Sequence, residues 1–250
     1  MAVARPSLSL AALILLAGSL VLLWFVILSG VVNTTPLNRT YFLRADTAGI
    51  TGARPISQWT YFYVCGDGNL DCGSASPDPP FGKAWGSNPS NAPEELVGSH
   101  GSNTTSSKFF FMWRFGWVFY LLGLFFSTIT FFTGFLACFG RLGAALSGLM
   151  SIIALFFFTV GVSLMTATFV IARDVFIRAG RDATIGRWAF GFSWASWFAL
   201  LLASILFCLA MGRRDNNAGL ATGSRWGRRR STRSRMSYDV GGRRVKDEYS

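Results

Sequence analysis

Four long apolar segments constrain this 250-residue chain more than any other feature. A helix needs about 20 mostly apolar residues to cross the hydrocarbon core of a bilayer. Each segment meets this length, and none contains a charged residue; they cover residues 7–29, 115–139, 142–172 and 188–211. The sequence therefore predicts a mainly α-helical membrane protein, built as a bundle of four transmembrane helices.

The composition supports the same prediction. Hydrophobic residues make up 51% of the chain and charged residues only 14%, whereas soluble domains carry roughly 25% charged residues. The polar surface that a water-soluble enzyme needs is therefore missing. The net charge of +11 is typical of proteins that bind nucleic acid, but we expect no nucleic acid partner, because most of this charge follows the last apolar segment directly.

The distribution of basic residues predicts the orientation in the membrane. Residues 212–250 hold eleven basic and four acidic residues, and short cytoplasmic segments are enriched in Lys and Arg. We therefore place this tail, the N-terminal residues 1–6 and the turn at residues 140–141 in the cytoplasm. Residues 30–114 and 173–187 then form two extracellular loops.

Two of the apolar segments need comment. Residues 7–29 could form a cleaved signal peptide that begins near Arg5, but their apolar stretch exceeds the usual 7–15 residues, which favours a retained span. The 31 residues of the third segment would make about 46 Å of helix, more than a hydrocarbon core of ~30 Å. We expect this helix to tilt or to protrude toward the outer loop.

The first outer loop combines strand-like runs with a loop-like stretch. Residues 39–44 and 59–65 are rich in aromatic and β-branched side chains, as strands are, whereas residues 73–107 are rich in Gly, Ser, Pro and Asn and are expected to be mobile. Cys65 and Cys72 are the only cysteines in this loop. We predict a disulfide between them, across a hairpin in an oxidising compartment; two free thiols are the alternative.

The same loop holds three glycosylation sequons and one calcium-like pattern. The sequons lie at Asn33, Asn38 and Asn103, and Asn103 is the preferred site because the other two lie near the membrane. Residues 67–78 space their acidic and amide side chains as a calcium loop does, but Cys72 stands where such a loop needs glycine. We favour a polar turn, with calcium binding as the alternative.

The sequence offers little for transport or catalysis. Transporters and proton relays place ionisable residues inside the bilayer, and the four segments contain none. His100 is the only histidine; we expect it to be a solvated loop residue, and no motif of a catalytic nucleophile accompanies it. We therefore expect no enzymatic activity, no cofactor and no metal ion.

Small residues mark a packing face on the fourth segment. Gly191, Ala195, Ala199 and Ala203 recur every four residues, and such a stripe lets membrane helices approach closely. Packing within the bundle is the favoured interpretation, and lateral self-association is the alternative. Trp113 is expected among the tryptophans that line the membrane–water interface.

The basic tail is predicted to bind anionic lipid, which attracts juxtamembrane Lys and Arg by about 1 kcal/mol per residue. A tail that serves only to orient the protein is the alternative. The lipid-binding arginines are Arg213, Arg214, Arg225, Arg228, Arg229, Arg230, Arg233 and Arg235. Cys138 and Cys208 lie near the cytoplasmic ends of their spans and are candidates for palmitoylation; small buried hydrophobic side chains are the alternative.

With these residues laid out, the sequence resembles the fungal Sur-seven/PalI family of four-span plasma-membrane proteins, which is more distantly similar to claudins. The matching stretches are residues 27–30 (ILSG), 36–42 (PLNRTYF), 47–50 (TAGI), 59–62 (WTYF) with the cysteine pair that follows, and 191–196 (GFSWAS). The family-motif residues are Asn38, Arg39, Trp59, Gly191 and Trp194. Phe62 replaces the tryptophan of the claudin signature, so a tight-junction role is not implied.

The resemblance implies a claudin-like fold at the plasma membrane, in which a disulfide-stapled, β-containing extracellular domain caps the helix bundle. It also implies a non-catalytic organiser of membrane microdomains of the eisosome type, which supports cell-wall organisation, endocytic control and stress response. The implied partners are phosphoinositides, sphingolipids and eisosome BAR-domain proteins, and we expect a lateral homo-oligomer. A signalling subunit of the ambient-pH-sensing, PalI-like branch is the alternative.

Overall fold

A computed structural model describes residues 4–137 and 141–212 of the chain. Four long helices dominate it: α1 (Ala4–Ile27), α2 (Ser107–Ala137), α3 (Arg141–Arg178) and α4 (Arg187–Gly212). Each contains a stretch that is long and apolar enough to cross a membrane. Together with a small antiparallel sheet and one disulfide, these helices confirm the predicted fold class.

Two helices extend past their apolar segments at the same end of the bundle. α2 begins at Ser107 rather than near Phe115, and α3 continues to Arg178 rather than ending near residue 172. These extensions are helical because their side chains pack against other parts of the chain; the side chain of Phe176, for example, is buried. At 1.5 Å per residue, the 38 residues of α3 are about 57 Å long, and the tilt or protrusion of this helix relative to the membrane stays a prediction.

A four-stranded antiparallel sheet lies at that end, in the order β3-β2-β1-β4. Its strands are β1 (Leu43–Asp46), β2 (Ile56–Trp59), β3 (Val64–Cys65) and β4 (Ala183–Ile185). Three strands come from the segment between α1 and α2, and the fourth comes from the short segment between α3 and α4. We refer to residues 28–106 and 179–186 together as the cap.

The strands differ in position from those predicted. The aromatic runs 39–44 and 59–65 meet strands only at their ends, because aromatic residues in these runs pack against the helices instead of pairing in the sheet. Residues 60–63 form a turn, in which Thr60 N donates to Tyr63 O at 2.9 Å. The sequence does not predict β4, since three residues are too few to show the alternation of a strand.

The expectation of a mobile loop over residues 73–107 is wrong for its central part. Phe81–Ala84 forms a short 3-10 helix, and the Trp85 side chain that follows is buried in the same core as the helices. His100 is half-buried against two phenylalanine rings of α2, rather than solvated as expected. A few large side chains therefore order a segment whose overall composition is that of a loop.

Glycines bring α2 and α3 into backbone contact. A Cβ added to Gly161 would lie 2.6 Å from Tyr120 N, and a Cβ added to Gly123 would lie 2.7 Å from Phe158 Cβ. The helices can approach this closely only because both positions lack a side chain. Membrane helices associate through such packing, since lipid tails provide no hydrophobic drive between them.

Only part of the predicted packing stripe of α4 lies inside the bundle. Gly191 and Ala195 are exposed, Ala199 is half-buried, and Ala203 is buried. Intrachain packing is therefore wrong for the half of the stripe nearest the cap. The reason is geometric: residues spaced by four drift about 40° per step around a helix of 3.6 residues per turn. The residues that α4 does bury are Ala189, Ser193, Ser196, Leu200, Ala203, Phe207 and Ala210, with Ser204.

Candidate functional site at the junction of cap and helices

Aromatic rings join the cap to three of the helices. Phe42, just before β1, stacks on Phe169 of α3 with ring centroids 5.0 Å apart, and it lies edge-on to Phe190 of α4 at 5.5 Å. Trp113 of α2 lies 4.8 Å from Phe169. Because Trp113 is only 2% exposed, its predicted place at the membrane–water interface is wrong; the extension of α2 carries it into this cluster.

The motif residue Trp59, at the end of β2, is the centre of a second cluster. Its ring lies 5.7 Å from Phe81 and 6.4 Å from Trp85 in the cap, and 5.8 Å from Phe176 of α3. The indole Nε1 donates to Phe81 O at 3.3 Å. Aromatic pairs of this kind contribute about 0.5–1.5 kcal/mol each beyond the burial of their area. Trp59 thus fixes the cap to α3.

Tyr61, in the turn after β2, ties the cap to α2 through a reciprocal pair of hydrogen bonds. Its hydroxyl donates to Trp117 O at 2.8 Å, and Trp117 Nε1 donates to Tyr61 O at 3.2 Å. The two rings stack with centroids 5.4 Å apart. Burial raises the pKa of the Tyr61 hydroxyl well above its ordinary value, so this group stays protonated and keeps its donor.

Asn69 holds two parts of the cap together, and the sequence gives no signal for this role. Its Nδ2 donates to Leu37 O and to Thr40 O, both at 2.9 Å, on either side of the motif residues 38–39. Its backbone N donates to Gln58 Oε1 at 2.9 Å. In the sequence, Asn69 is one polar residue of a turn. In the fold it is almost fully buried and lies against the segment that carries motif residues 38–39.

The predicted disulfide between Cys65 and Cys72 is confirmed. It closes the short loop that carries Asn69, whose backbone is in the left-handed region with φ of 55°. Closing a loop of this length removes about 2–3 kcal/mol of conformational entropy from the unfolded chain. The disulfide therefore supports the position in which Asn69 binds the motif segment.

We expect the double substitution Cys65→Ala/Cys72→Ser to lower the free energy of unfolding of the cap by about 2–3 kcal/mol. Thermal unfolding of the detergent-solubilised protein measures this, and reductant should lower the stability of the wild type by a similar amount. Cys208→Ala is the matched control, because Cys208 is a free cysteine of α4. Equal stability of the double variant and this control would show that the disulfide does not support the cap.

The second loop is attached to the first by β4, Arg181 and a glycine. Arg181 Nη1 donates to Ala48 O at 2.7 Å, and its Nη2 donates to Asn91 O at 2.9 Å. Gly186, at the end of β4, lies directly against the backbone of Tyr41: a Cβ there would lie 1.6 Å from Tyr41 O. Both loops therefore form a single unit.

The residues of the calcium-like pattern do not converge on one point. Asp67 Oδ1 accepts a hydrogen bond from Arg44 Nε at 2.9 Å, which lowers the pKa of Asp67. Asp78 pairs with Arg114 at 3.0 Å, although burial raises the pKa of Asp78. Within residues 4–137 and 141–212, no three His, Cys, Asp or Glu side chains gather in a way that could hold a metal ion.

The motif stretch at the start of α4 has two faces. On the inner face, Ser193 Oγ shares a hydrogen bond of 2.9 Å with Tyr120 OH of α2, and Ser196 Oγ donates to Ser19 O of α1 at 2.9 Å. On the outer face, the motif residue Trp194 is 40% exposed, beside the exposed glycine and alanine of the stripe. The two serines therefore hydrogen-bond α4 to α2 and α1. Nothing in the sequence distinguishes them from the other serines of the apolar segments.

The remaining predicted residues are spread over the molecule. Asn33 and Asn103 are exposed and Asn38 is half-buried; their glycosylation stays a prediction. Arg39 is exposed, and Cys208 is half-buried, so its palmitoylation stays a prediction too. Other predicted residues lie outside the described ranges: Cys138, Arg213, Arg214, Arg225, Arg228, Arg229, Arg230, Arg233 and Arg235.

A bundle of four membrane-length helices with a disulfide-bonded cap built from both of its loops defines the class: a four-span, multi-pass membrane protein. Residues 8–206 match the model of the SUR7/PalI family. The chain therefore belongs to the SUR7/PalI family.

Curated relatives from two yeasts are similar over most of the chain. SUR7 family protein FMP45 of Saccharomyces cerevisiae is 32% identical over 200 residues, which cover 76% of this chain and 62% of FMP45. Protein SUR7 of Candida albicans is 34% identical over 202 residues, 78% of this chain and 70% of that protein. Uncharacterized plasma membrane protein YNL194C of S. cerevisiae is 30% identical over 213 residues, 82% of this chain and 68% of its own length.

Proposed function

We propose that this SUR7-type membrane protein is a non-catalytic organiser of plasma-membrane microdomains of the eisosome type. The cap lies outside the cell and both termini lie in the cytoplasm. By assembling laterally with copies of itself, the protein supports cell-wall organisation, endocytic control and stress response. One relative is named a plasma membrane protein, which supports the plasma membrane as the location of this chain. The disulfide supports an oxidising compartment for the cap.

The exposed half of the α4 stripe carries the proposal. Gly191 and Ala195 leave a notch beside the exposed side chains of Trp194 and Phe198, and a Cβ on Gly191 would meet no atom of the described residues within 4 Å. Small residues on a membrane helix let another helix approach closely. Because the bundle leaves this notch open, association with a second copy is the use of the stripe that the fold supports.

Replacing Gly191 with leucine is expected to block this association without disturbing the fold, because a Cβ at this exposed position meets no atom of the described residues within 4 Å. We expect oligomers, counted by single-molecule photobleaching in membrane nanodiscs, to become mostly monomers. In living fungal cells, the tagged variant should leave the patches that overlap an eisosome marker, and its fluorescence recovery should become faster.

Gly18→Leu is the matched control for this experiment. Gly18 is an exposed glycine of α1, and a Cβ there also has no atom within 4 Å in the part of the chain that the structure describes, so we expect wild-type assembly and mobility. If Gly191→Leu leaves oligomer size and mobility unchanged, the α4 notch is not the contact. Diffuse or endosomal wild-type protein, away from the marker, would contradict the organiser function itself.

Lipids and cytoplasmic proteins are the further partners in this proposal. The basic tail lies outside the described residues, so its binding to phosphoinositides stays a prediction from its charge. Sphingolipids and eisosome BAR-domain proteins are proposed on the basis of family membership. A tail truncated after Arg214 that bound phosphoinositide vesicles as well as the full chain at physiological salt would remove the lipid part of the proposal.

A signalling subunit of the PalI-like type is the second candidate. The observation that favours it is the continuity of α3, which runs from its contacts with the cap to the opposite end of the bundle. A displacement of the cap by an external ligand would thus be carried across the membrane. Loss of alkaline-pH adaptation with normal patch morphology on deletion of the gene would favour this candidate over the organiser.

A further inference from the structure

The cap contains a cleft whose lining is rich in hydroxyl groups. Its volume is about 430 Å³, within the range of roughly 300–1,000 Å³ that is usual for small-molecule sites. Ser76, Ser87, Ser102 and Thr104 bring hydroxyls to it, and Lys83 brings an ammonium group. The other lining residues are glycines and one proline, so neither a carboxylate nor an aromatic ring is among them.

Close backbone contacts hold the two walls of this cleft together. Gly82 N donates to Thr105 Oγ1 at 2.9 Å, and a Cβ on Gly82 would overlap Thr104. On the other wall, a Cβ on Gly101 would lie 2.7 Å from Pro80 Cβ. These contacts within the chain fix the two walls relative to each other, and a site whose walls are held in this way binds at a lower entropic cost.

Lys83 places a positive charge in the cleft that no carboxylate of the described residues pairs with. Its Nζ donates to Ser74 O at 2.5 Å and to Ser76 Oγ at 2.7 Å, and an ammonium group has three donors. Burial lowers the pKa of Lys83, which reflects partial loss of water around the charge. One donor of a partly dehydrated cation is thus available to an acceptor in the cleft.

We propose that the cleft binds a saccharide that carries an anionic substituent. The Ser87 and Ser102 hydroxyls can both donate to and accept from the hydroxyls of a sugar, and Ser76 Oγ, which accepts from Lys83, can still donate. The Thr104 hydroxyl already donates to Gly101 O. Lys83 would form a charge-assisted hydrogen bond with the anionic group. A flat aromatic ligand would find no ring to stack on, and a cation would find no carboxylate.

The position of the cleft favours a saccharide in solution or in the wall over the headgroup of a membrane lipid. Thr104 precedes the start of α2 at Ser107, and the uncharged apolar part of α2 begins only at Phe115. The cleft lies beside these eight residues of α2, which precede the uncharged apolar span: His100, next to Gly101 of the lining, packs on Phe110 and Phe111. The inference rests on the proposed placement of the cap outside the cell.

The test is a ligand-detected NMR titration of the purified full-length protein in nanodiscs, with empty nanodiscs as the blank. The probes are glucose, mannose and galactose 6-phosphates, the three unphosphorylated sugars and inorganic phosphate. We expect at least one sugar phosphate to bind with a millimolar dissociation constant, about tenfold tighter than its parent sugar and than phosphate alone. Ser87→Trp, which fills the cleft from an exposed position, should abolish binding, and Lys83→Met should remove the preference for the phosphorylated sugar.

Thr184→Trp is the matched control, since it adds the same side chain at an exposed strand position outside the cleft. It should bind as the wild type does. The proposal is wrong if no sugar phosphate binds, if inorganic phosphate binds equally well, or if Ser87→Trp binds like the control. Because binding is measured on purified protein and lateral assembly is measured separately with Gly191→Leu, failure of one proposal is distinguishable from failure of the other.

Discussion

Replacing Trp59 with alanine is expected to lower the free energy of unfolding of the cap by about 3–5 kcal/mol, the usual cost of truncating a buried tryptophan. The side chain is 1% exposed and touches rings of the cap and of α3, so its loss opens a cavity at the junction. Thermal unfolding of the detergent-solubilised protein should show the loss. Hydrogen exchange should locate it, as faster exchange in β2.

Trp24→Ala is the matched control for this experiment, because Trp24 lies on α1 and is 47% exposed. Its removal creates no cavity, and surface substitutions usually change stability by less than about 0.5 kcal/mol. Similar losses for the two variants would mean that the aromatic junction does not hold the cap to the bundle. A normal exchange rate in β2 of the Trp59 variant would lead to the same conclusion.

Replacing Gly161 with leucine is expected to destabilise the helix bundle by about 3 kcal/mol, at the upper end of the cost of overpacking. Even the Cβ alone would lie 2.6 Å from Tyr120 N, and a backbone atom of a helix cannot move aside as the end of a side chain can. The helices α2 and α3 must therefore separate. The fraction of monodisperse protein after extraction in mild detergent, and its melting temperature, measure the effect.

Gly191→Leu provides the comparison for Gly161→Leu, since it makes the same chemical change on an exposed helix face. It should be extracted and melt as the wild type does, while losing lateral assembly. The two leucine variants thus separate packing within the chain from packing between chains. If Gly161→Leu is as stable as Gly191→Leu, the close contact of α2 with α3 is not required for the fold.

The spans and the disulfide could be predicted because each depends on one strong local property. An uncharged stretch of the length from residue 188 to residue 211 has few alternatives to a membrane helix. Cys65 and Cys72, as the only cysteines of the outer loop, had only each other as partners within it. Both predictions needed composition and position along the chain, and neither needed knowledge of the tertiary contacts.

The junction could not be predicted because its residues act through distant contacts. Phe42 and Tyr61 have the composition of strand residues, yet they pack on α3 and α2, and Asn69 has the composition of a turn residue, yet it is buried. The prediction that the α4 stripe packs inside the bundle was partly wrong for a different reason. Residues spaced by four rotate about 40° per step around the helix axis. Counting every fourth residue from Gly191 therefore selects some residues that lie outside the packing face.

The pairing of β1 with β4 has a consequence for the biogenesis of the protein. Arg181, just before β4, bonds to Ala48, just after β1, and these residues are 133 positions apart. Since a chain emerges from the ribosome N-terminal end first, one edge of β1 stays open until the first three helices and β4 have been made. Unpaired strand edges readily bind other chains. A closed sheet therefore marks a chain that has been synthesised at least as far as β4 and whose two loops have met, whether or not α4 has followed.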